Sequence, residues 1–455
     1  MNFIRAAALA GIALGAPFAC VDQTKSPTGT GGGGGAPDAS STGDASPVSD
    51  GGAGSDAAPA MPLHTQSRWI LDANGRRFKL AGVSWYGGES PGLVPLGLDH
   101  ADVHAIAHEV KVLGFNSVRL PWCNQLFESN PVVTPAFVSA NPALQGKTVL
   151  EVFDAVVAAI AQEGMVVVLD NHRSRGDWCC DTAHGDGLWH TVAYPESSFV
   201  ADWVGMVQRY LSQPLVAAAD LRNELRGQLP DDAGPQCVDC DNPGDSGCGC
   251  WQPSWGDNDP ETDWAAAAER VGDAIQTVNP NLLIIVEGNY YATYLGASYR
   301  PVHFTVPDHL VYSPHNYDGS NGGAASFADY AAFKAVMDQN WGFVITPHTA
   351  YTAPLWVGEF GASNTSPDTT PPDLPNLTDP NAKWWVYIRQ YIIDNDLDWS
   401  VWSLNGTQGS GYGRTFGAPE TFAVLMPDWT TPAPAPYLQA LQAMQAPTLA
   451  PDGGN

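Results

Sequence analysis

The chain has 455 residues, 48 of them acidic and 20 basic, for a formal net charge of −28. A surface this acidic repels phosphate backbones, which excludes nucleic acid as a partner. Hydrophobic residues make up 44%, enough for one large core, and the length admits several domains or a single large α/β barrel.

The first residues read as an export signal. Arg5 precedes a small, apolar run over residues 6–19, and Cys20 follows. The run is too short to cross a bilayer, so it reads as a signal peptide rather than an anchor. A bacterial lipoprotein signal ends in small residues before a Cys, but Pro17 stands here where an aliphatic residue is usual. Plain cleavage near Ala19 and lipidation of Cys20 are both open, leading to secretion or to attachment at a bacterial cell surface. Residues 21–62 are mostly Gly, Ser, Thr, Asp, Ala and Pro. Such a composition cannot bury a core and reads as a flexible tether. A catalytic domain is expected over 63–445, with a short tail over 446–455. No segment after the signal is long and apolar enough to span a membrane.

From residue 63 onward, short apolar runs alternate with longer amphipathic stretches. Runs begin at Lys79 (KLAGVSW), Asn116 (NSVRLPW), Met165 (MVVVLDNH), Val216 (VAAADLRNE), Leu282 (LLIIVEG), Leu310 (LVYSPHNY), Leu355 (LWVGEFG) and Trp399 (WSVWSLN). Several lack the alternation of a half-wet strand, as parallel strands covered on both faces do. Helical spacing is predicted over 102–113 with Gly114 as stop, 149–161 before Gly164, 198–211, 263–278 and 383–393. Asp263 is the expected N-cap of the fourth of these, and Pro280 its stop. No helix is evident after the fifth run, where residues 290–302 are rich in Tyr and Gly. Eight β-then-α alternations predict an α/β fold, a (β/α)8 barrel. A doubly wound open sheet would want a glycine-rich phosphate turn after its first strand, and none is present.

A barrel gathers its functional residues at the C-terminal ends of its strands. The second run carries Arg119 and Trp122, and the third ends in Asp170, Asn171 and His172. The fourth leads into Asn223 and Glu224, and the fifth ends in Glu287. His315, Asn316 and Tyr317 close the sixth, Glu359 the seventh, and Trp402 and Asn405 the eighth. Glu224 and Glu359 then face each other across the mouth. Two opposed carboxyl groups suit glycoside hydrolysis, in which one protonates the departing oxygen and the other attacks the anomeric carbon or activates water. Asn223 can hydrogen-bond the sugar 2-hydroxyl. Arg119 supplies a positive charge to keep Glu359 ionised, and Tyr317 can donate to the same carboxylate. His172 and His315 are candidates to position the acid or the sugar hydroxyls. Trp402 offers a flat apolar floor for a pyranose ring, and Gly358 is read as leaving room for substrate. Glu287 is read as a supporting group.

In these motifs the chain resembles glycoside hydrolase family 5, most closely its bacterial endoglucanases. The resemblance spans residues 63–445 and rests on LAGVSWYGGE, SVRLPW, VVVLDNHR, ADLRNELR, NPNLLIIVEG, LVYSPHNY, WVGEFG and WSVWSLN in that order. It implies a retaining mechanism on β-1,4-glucan, with Glu224 as acid/base and Glu359 as nucleophile, and with no metal or other cofactor. The family often has Pro directly after the Asn-Glu pair, where this chain has Leu225. Mannan, xylan and β-1,3-glucan are the alternative substrates. A non-catalytic carbohydrate-binding surface protein is the competing class, but it would want a missing carboxylate. The expected partner is a polysaccharide, and the expected state is a monomer.

Eight cysteines are present. Cys123, Cys179 and Cys180 follow neighbouring runs, so their loops are candidates for a bridge. Cys237, Cys240, Cys248 and Cys250 form an insert after the fourth run. Four-thiolate metal ligation is one reading; two local disulfides suit an exported loop better, with three possible connectivities. Trp85, Trp178, Trp189, Trp251 and Trp255 are candidates either for sugar platforms or for packing.

Overall fold

The computed structural model describes residues 58–178, 186–229, 240, 249–295, 300–320, 327–364, 380–411 and 413–451. The signal and most of the tether lie outside them, as do Cys179, Cys180, Cys237 and Cys248.

Each apolar run supplies one strand of a single parallel sheet: β3 (Ala81–Ser84), β4 (Ser117–Cys123), β5 (Val166–Arg173), β6 (Val216–Asp220), β7 (Leu283–Glu287), β8 (Leu310–Ser313), β9 (Trp356–Val357) and β10 (Asp398–Val401). The strands pair in the order β8-β7-β6-β5-β4-β3-β10-β9. Single parallel bridges at Tyr312–Leu355 and His315–Glu359 join the two ends and close the ring. Every residue of β4 and β5 is buried, because helices cover the outside and other strands face the inside.

The helices follow the predicted spacing. α1 (Val103–Val112) starts at the Asp102 side chain, which accepts from the His104 N–H at 2.9 Å. α2 (Asn124–Ser129) is short. α3 (Val149–Gln162) opens on a capping box between Thr148 and Glu151. α4 (Glu196–Arg209) begins two residues earlier than expected. α5 (Trp264–Val278) is capped by Asp263 and ends before Pro280. After β7 there is only α6 (Asn289–Ala292), a single turn in which Tyr290 and Tyr291 have left-handed dihedrals. α7 (Tyr330–Asn340), which the sequence reading missed, precedes β9. α8 (Pro380–Asn395) and α9 (Ala435–Gln442) flank β10.

Two cores result. The larger lies between the strands and the helices. The smaller fills the barrel interior with Leu80, Val166, Val168, Ala218, Leu283, Ile285, Val311 and Trp356. Its lower end is stopped by Leu63 and Ile70 from an antiparallel hairpin, β1 (His64–Gln66) and β2 (Trp69–Leu71), which sequence periodicity did not reveal.

Cys123 does not bridge a neighbouring loop. It is a free buried thiol whose Sγ donates to the Gly88 carbonyl at 3.6 Å, and burial pushes it up to about 12. In the Cys-rich insert, Cys240 and Cys250 form a disulfide with Cα atoms 5.7 Å apart. That pair takes two of the four thiolates a metal site would have needed.

Asp263 accepts from the N–H groups of Gly256, Asn258 and Ala266 at 2.8, 2.9 and 3.1 Å. Replacing it by Ala orphans all three donors and removes the α5 cap, so Asp263→Ala is expected to cost about 2 kcal/mol. Urea unfolding followed by circular dichroism measures this loss, and an unchanged midpoint would contradict it.

Candidate active site

The strand ends converge on one buried guanidinium. Arg119 donates through Nε to Asp220 Oδ2 at 2.9 Å, and through Nη1 to Glu359 Oε1 at 2.5 Å. Its Nη2 donates to Asn223 Oδ1 at 2.8 Å and Glu287 Oε1 at 3.1 Å, with Asp170 Oδ2 3.2 Å away. Burial alone would lower the guanidinium's affinity for its proton, but the carboxylates of Asp170, Asp220, Glu359 and Glu287 hold it well above its usual range. The Asp220 carboxyl is pushed well up by burial and then by the Glu287 charge.

Glu359 is further held by the Tyr317 hydroxyl, which donates to Oε2 at 2.9 Å. Glu224 stands in a different setting. Its φ is +47°, a left-handed backbone that a non-glycine residue adopts only when its surroundings enforce it. Its N–H donates to Glu287 Oε2 at 2.7 Å, and its carbonyl accepts from Arg226 at 3.0 Å. His315 Nδ1 lies 3.0 Å from Glu224 Oε1, and His315 Nε2 lies 3.2 Å from Glu287 Oε1. Burial opposes the imidazolium, yet the Glu287 and Glu359 charges and the hydrogen bonds to Glu224 and Glu287 raise His315 well above its usual range. Burial also raises the Glu224 carboxyl; Glu359 and Glu287 add to that, against the pull of His315. For Glu287, burial is overcome by His315, Arg119 and the Glu224 N–H, and the carboxyl sits below its ordinary value.

One ligand-type atom from each of Glu224, His315 and Glu359 lies within 4.8 Å of the other two. These three are the one group among the described residues able to share a metal ion. An ion there would have to displace hydrogen bonds from His315, Arg119 and Tyr317.

The other expected residues gather around this centre. The Asn223 amide gives its oxygen to Arg119, and its Nδ2 is buried with no acceptor among the described residues. His172 turns toward Asp170, with Nδ1 2.7 Å from Oδ2, and its ring lies near-parallel to Trp402 at 5.6 Å. Trp402 lies parallel to Tyr86 at 5.0 Å. Gly358 serves a different purpose from the one expected. A Cβ there would sit 2.5 Å from Ser313 Oγ and 2.9 Å from His315 Nε2, so its smallness makes room for His315. Leu225 is fully buried in the main core. Trp85, Trp189 and Trp255 are buried packing residues. Trp178 packs edge-on to Trp402, with the Arg414 guanidinium 4.0 Å above its ring. Trp251 is open to solvent. Sequence reasoning missed Asp220 as a partner of Arg119. The only signal was an acid ending the apolar run VAAAD.

The family profile described as "Cellulase (glycosyl hydrolase family 5)" matches residues 71–408. The chain belongs to glycosyl hydrolase family 5. An endoglucanase of Paenibacillus polymyxa is 32% identical over 383 residues, covering 81% of this chain and 83% of that one. The "major extracellular endoglucanase" of Xanthomonas campestris pv. campestris is 29% identical, covering 80% of this chain and 67% of that one. An endocellulase from Pyrococcus horikoshii, solved with cellotetraose, superposes with a TM-score of 0.65 at 26% identity, covering 84% of this chain and 99% of that one. The family resemblance and the barrel read from the ordered motifs are both borne out. The protein is a glycoside hydrolase.

The Glu287 charge favours the charged imidazole of His315, so its removal shifts that equilibrium downward. In Glu287→Gln, the His315 titration followed by NMR is expected to fall relative to the parent protein. An unchanged titration would mean that Glu287 does not govern this histidine.

Proposed function

We propose that this family 5 enzyme cleaves internal β-1,4 bonds of a glucan such as cellulose by double displacement, with Glu224 as acid/base and Glu359 as nucleophile. The observation that carries this reading is that one carboxylate oxygen of Glu224 and one of Glu359 lie within 4.8 Å of each other, in unlike surroundings. Retaining glycosidases keep the pair close enough for one carboxylate to attack directly, whereas inverting ones hold it further apart to admit water. The names of the Paenibacillus and Xanthomonas relatives, and the cellotetraose bound by the Pyrococcus enzyme, favour cellulose over mannan, xylan or β-1,3-glucan.

In the first step the Glu359 carboxylate, held by Arg119 and Tyr317, attacks the anomeric carbon while Glu224 protonates the departing oxygen. A raised Glu224 affinity for its proton suits an acid. Forming the ester removes the Glu359 charge, and with it one cause of that raise. Glu224 then releases its proton more readily and can take one from water. The free Asn223 Nδ2 suits the sugar 2-hydroxyl, and Trp402 suits the apolar face of the same ring. Export is part of the proposal: residues 1–20 as signal, with Cys20 as the site of any lipid, 21–62 as tether, and action as a monomer outside the cell.

Glu359→Gln keeps the side chain's shape but cannot form the ester. Turnover measured as new reducing ends should fall by several orders of magnitude, while calorimetry still detects cellotetraose binding. Ordinary activity in this variant would remove Glu359 from the nucleophile's role. Across a panel of soluble polysaccharides, the parent enzyme should act best on β-1,4-glucan.

Glu224→Ala separates the acid role from the base role. Less charge needs neutralising as the leaving group becomes more acidic, so aryl cellobiosides with good leaving groups should lose least. The covalent intermediate should then accumulate, and added azide should release it as a glycosyl azide. Equal losses across the series with no azide product would remove Glu224 from the acid/base role.

A further inference from the structure

Arg119, Arg173 and Arg222 are buried, and each meets a carboxylate: Arg119 in the catalytic centre, the other two at Asp186, at 3.0 and 2.6 Å. Arg389, on α8, is 2% exposed and is treated differently. Its Nε donates to the Trp385 carbonyl, one turn earlier, at 3.3 Å, and its Nη1 to the Ala440 carbonyl, on α9, at 3.5 Å. Both bonds are long. The Trp385 ring lies 5.2 Å from the cation. Nη2 is buried with no partner among the described residues. Burial pushes the guanidinium down to about 10, and no carboxylate opposes that shift. Asp394, five positions further along α8, is engaged elsewhere: it accepts from Gln390 at 2.6 Å and from the Tyr330 hydroxyl at 2.7 Å.

A cleft of about 240 Å³ adjoins this cation, between α8 and α9 in the outer helical layer. Val386, Ile393 and Ala440 give it apolar walls, and Pro436 and Ala443 form an exposed rim. Arg389 is the one charged residue that lines it. Long basic side chains ordinarily carry their charge out to water. This one stays buried beside an open cleft, with a donor unspent. A buried charge with no opposite charge beside it is costly, and an anion in the cleft would remove that cost.

We propose that the cleft between α8 and α9 binds a small amphiphilic carboxylate, with its anionic end on Arg389 and its apolar stem against Val386, Ile393 and Ala440. A guanidinium offers N–H donors in a planar fork that suits a carboxylate, and charge-assisted bonds of this kind are about twice as strong as neutral ones. The apolar walls select against inorganic phosphate, which would give up its hydration without recovering it. The volume selects for size. A dry cavity of about 150 Å³ accepts benzene, so an aryl ring bearing a short carboxylate arm fits here. The net charge of −28 repels anions at long range. Salt screens that repulsion, whereas it screens a buried contact much less. The site is separate from the catalytic carboxylates and does not depend on the reaction assigned to them.

The experiment is calorimetry on the full chain at physiological salt, with 3-phenylpropanoate as probe. The comparators are 3-phenylpropan-1-ol, which lacks the charge, and inorganic phosphate, which lacks the stem. One 3-phenylpropanoate should bind per chain, and both comparators should bind about tenfold more weakly or worse. Arg389→Met keeps an apolar side chain and removes the charge. It should weaken the acid about tenfold and leave the alcohol unchanged. Ala443→Trp fills the exposed rim with Arg389 intact and should abolish binding, so the test does not hang on the folding of one variant. Turnover of β-1,4-glucan should be unchanged in both variants. No binding by wild type, equal affinity for acid and alcohol, or undiminished binding of the acid in both variants would overturn the site. Phosphate binding as tightly as 3-phenylpropanoate would overturn the choice of an amphiphile.

Discussion

A buried arginine needs compensation, and this barrel is organised around supplying it. Removing a guanidinium from water costs several kcal/mol unless its hydrogen bonds and its charge are answered. Arg119 has no exposed surface, and carboxylates carried by β5, β6, β7 and the end of β9 surround it. Those strands are far apart in the chain, so only a closed ring can bring their ends to one point. The cation thus couples the closing of the barrel to the assembly of the site. It also relieves repulsion among acids that would otherwise drive one another apart.

Glu224 and Glu359 differ because their neighbours do. Glu359 meets a permanent cation and a phenol. Glu224 meets a histidine, itself held in place by Glu287. Glu287 reaches Glu224 twice, once through that histidine and once through the Glu224 N–H, and it also touches Arg119. One residue with no expected contact with sugar therefore sets both the backbone and the electrostatics of the acid.

The barrel was legible in sequence because strands covered on both faces leave long apolar runs, and β4 and β5 are of this type. The centre was legible because polar residues ended those runs in phase. Other parts left weaker traces. α7 buries only Phe333 and Met337 among its residues, so its apolar stripe is thin. β9 is two residues long and closes the ring mainly through isolated bridges. The turn at Tyr290 has left-handed dihedrals that no periodicity encodes. Asp220 and Arg119 are 101 positions apart, and a pairing at that distance has no local signature. Gly358 was noticed, but only coordinates reveal that its missing Cβ is space reserved for His315.

The hairpin that stops the barrel also gives the molecule a direction. Leu63 and Ile70 enter the interior from the end opposite the carboxylates, and the Thr65 N–H donates to the carbonyl of Asp308, just before β8, at 2.7 Å. Ala58 lies against Gly164, just before β5, and the N–H groups of Thr448 and Leu449 donate to Asp396, just before β10. Both extremities of the folded body therefore emerge from its blind end. Whatever is joined at either extremity starts on the side away from the carboxylates and leaves the mouth unobstructed.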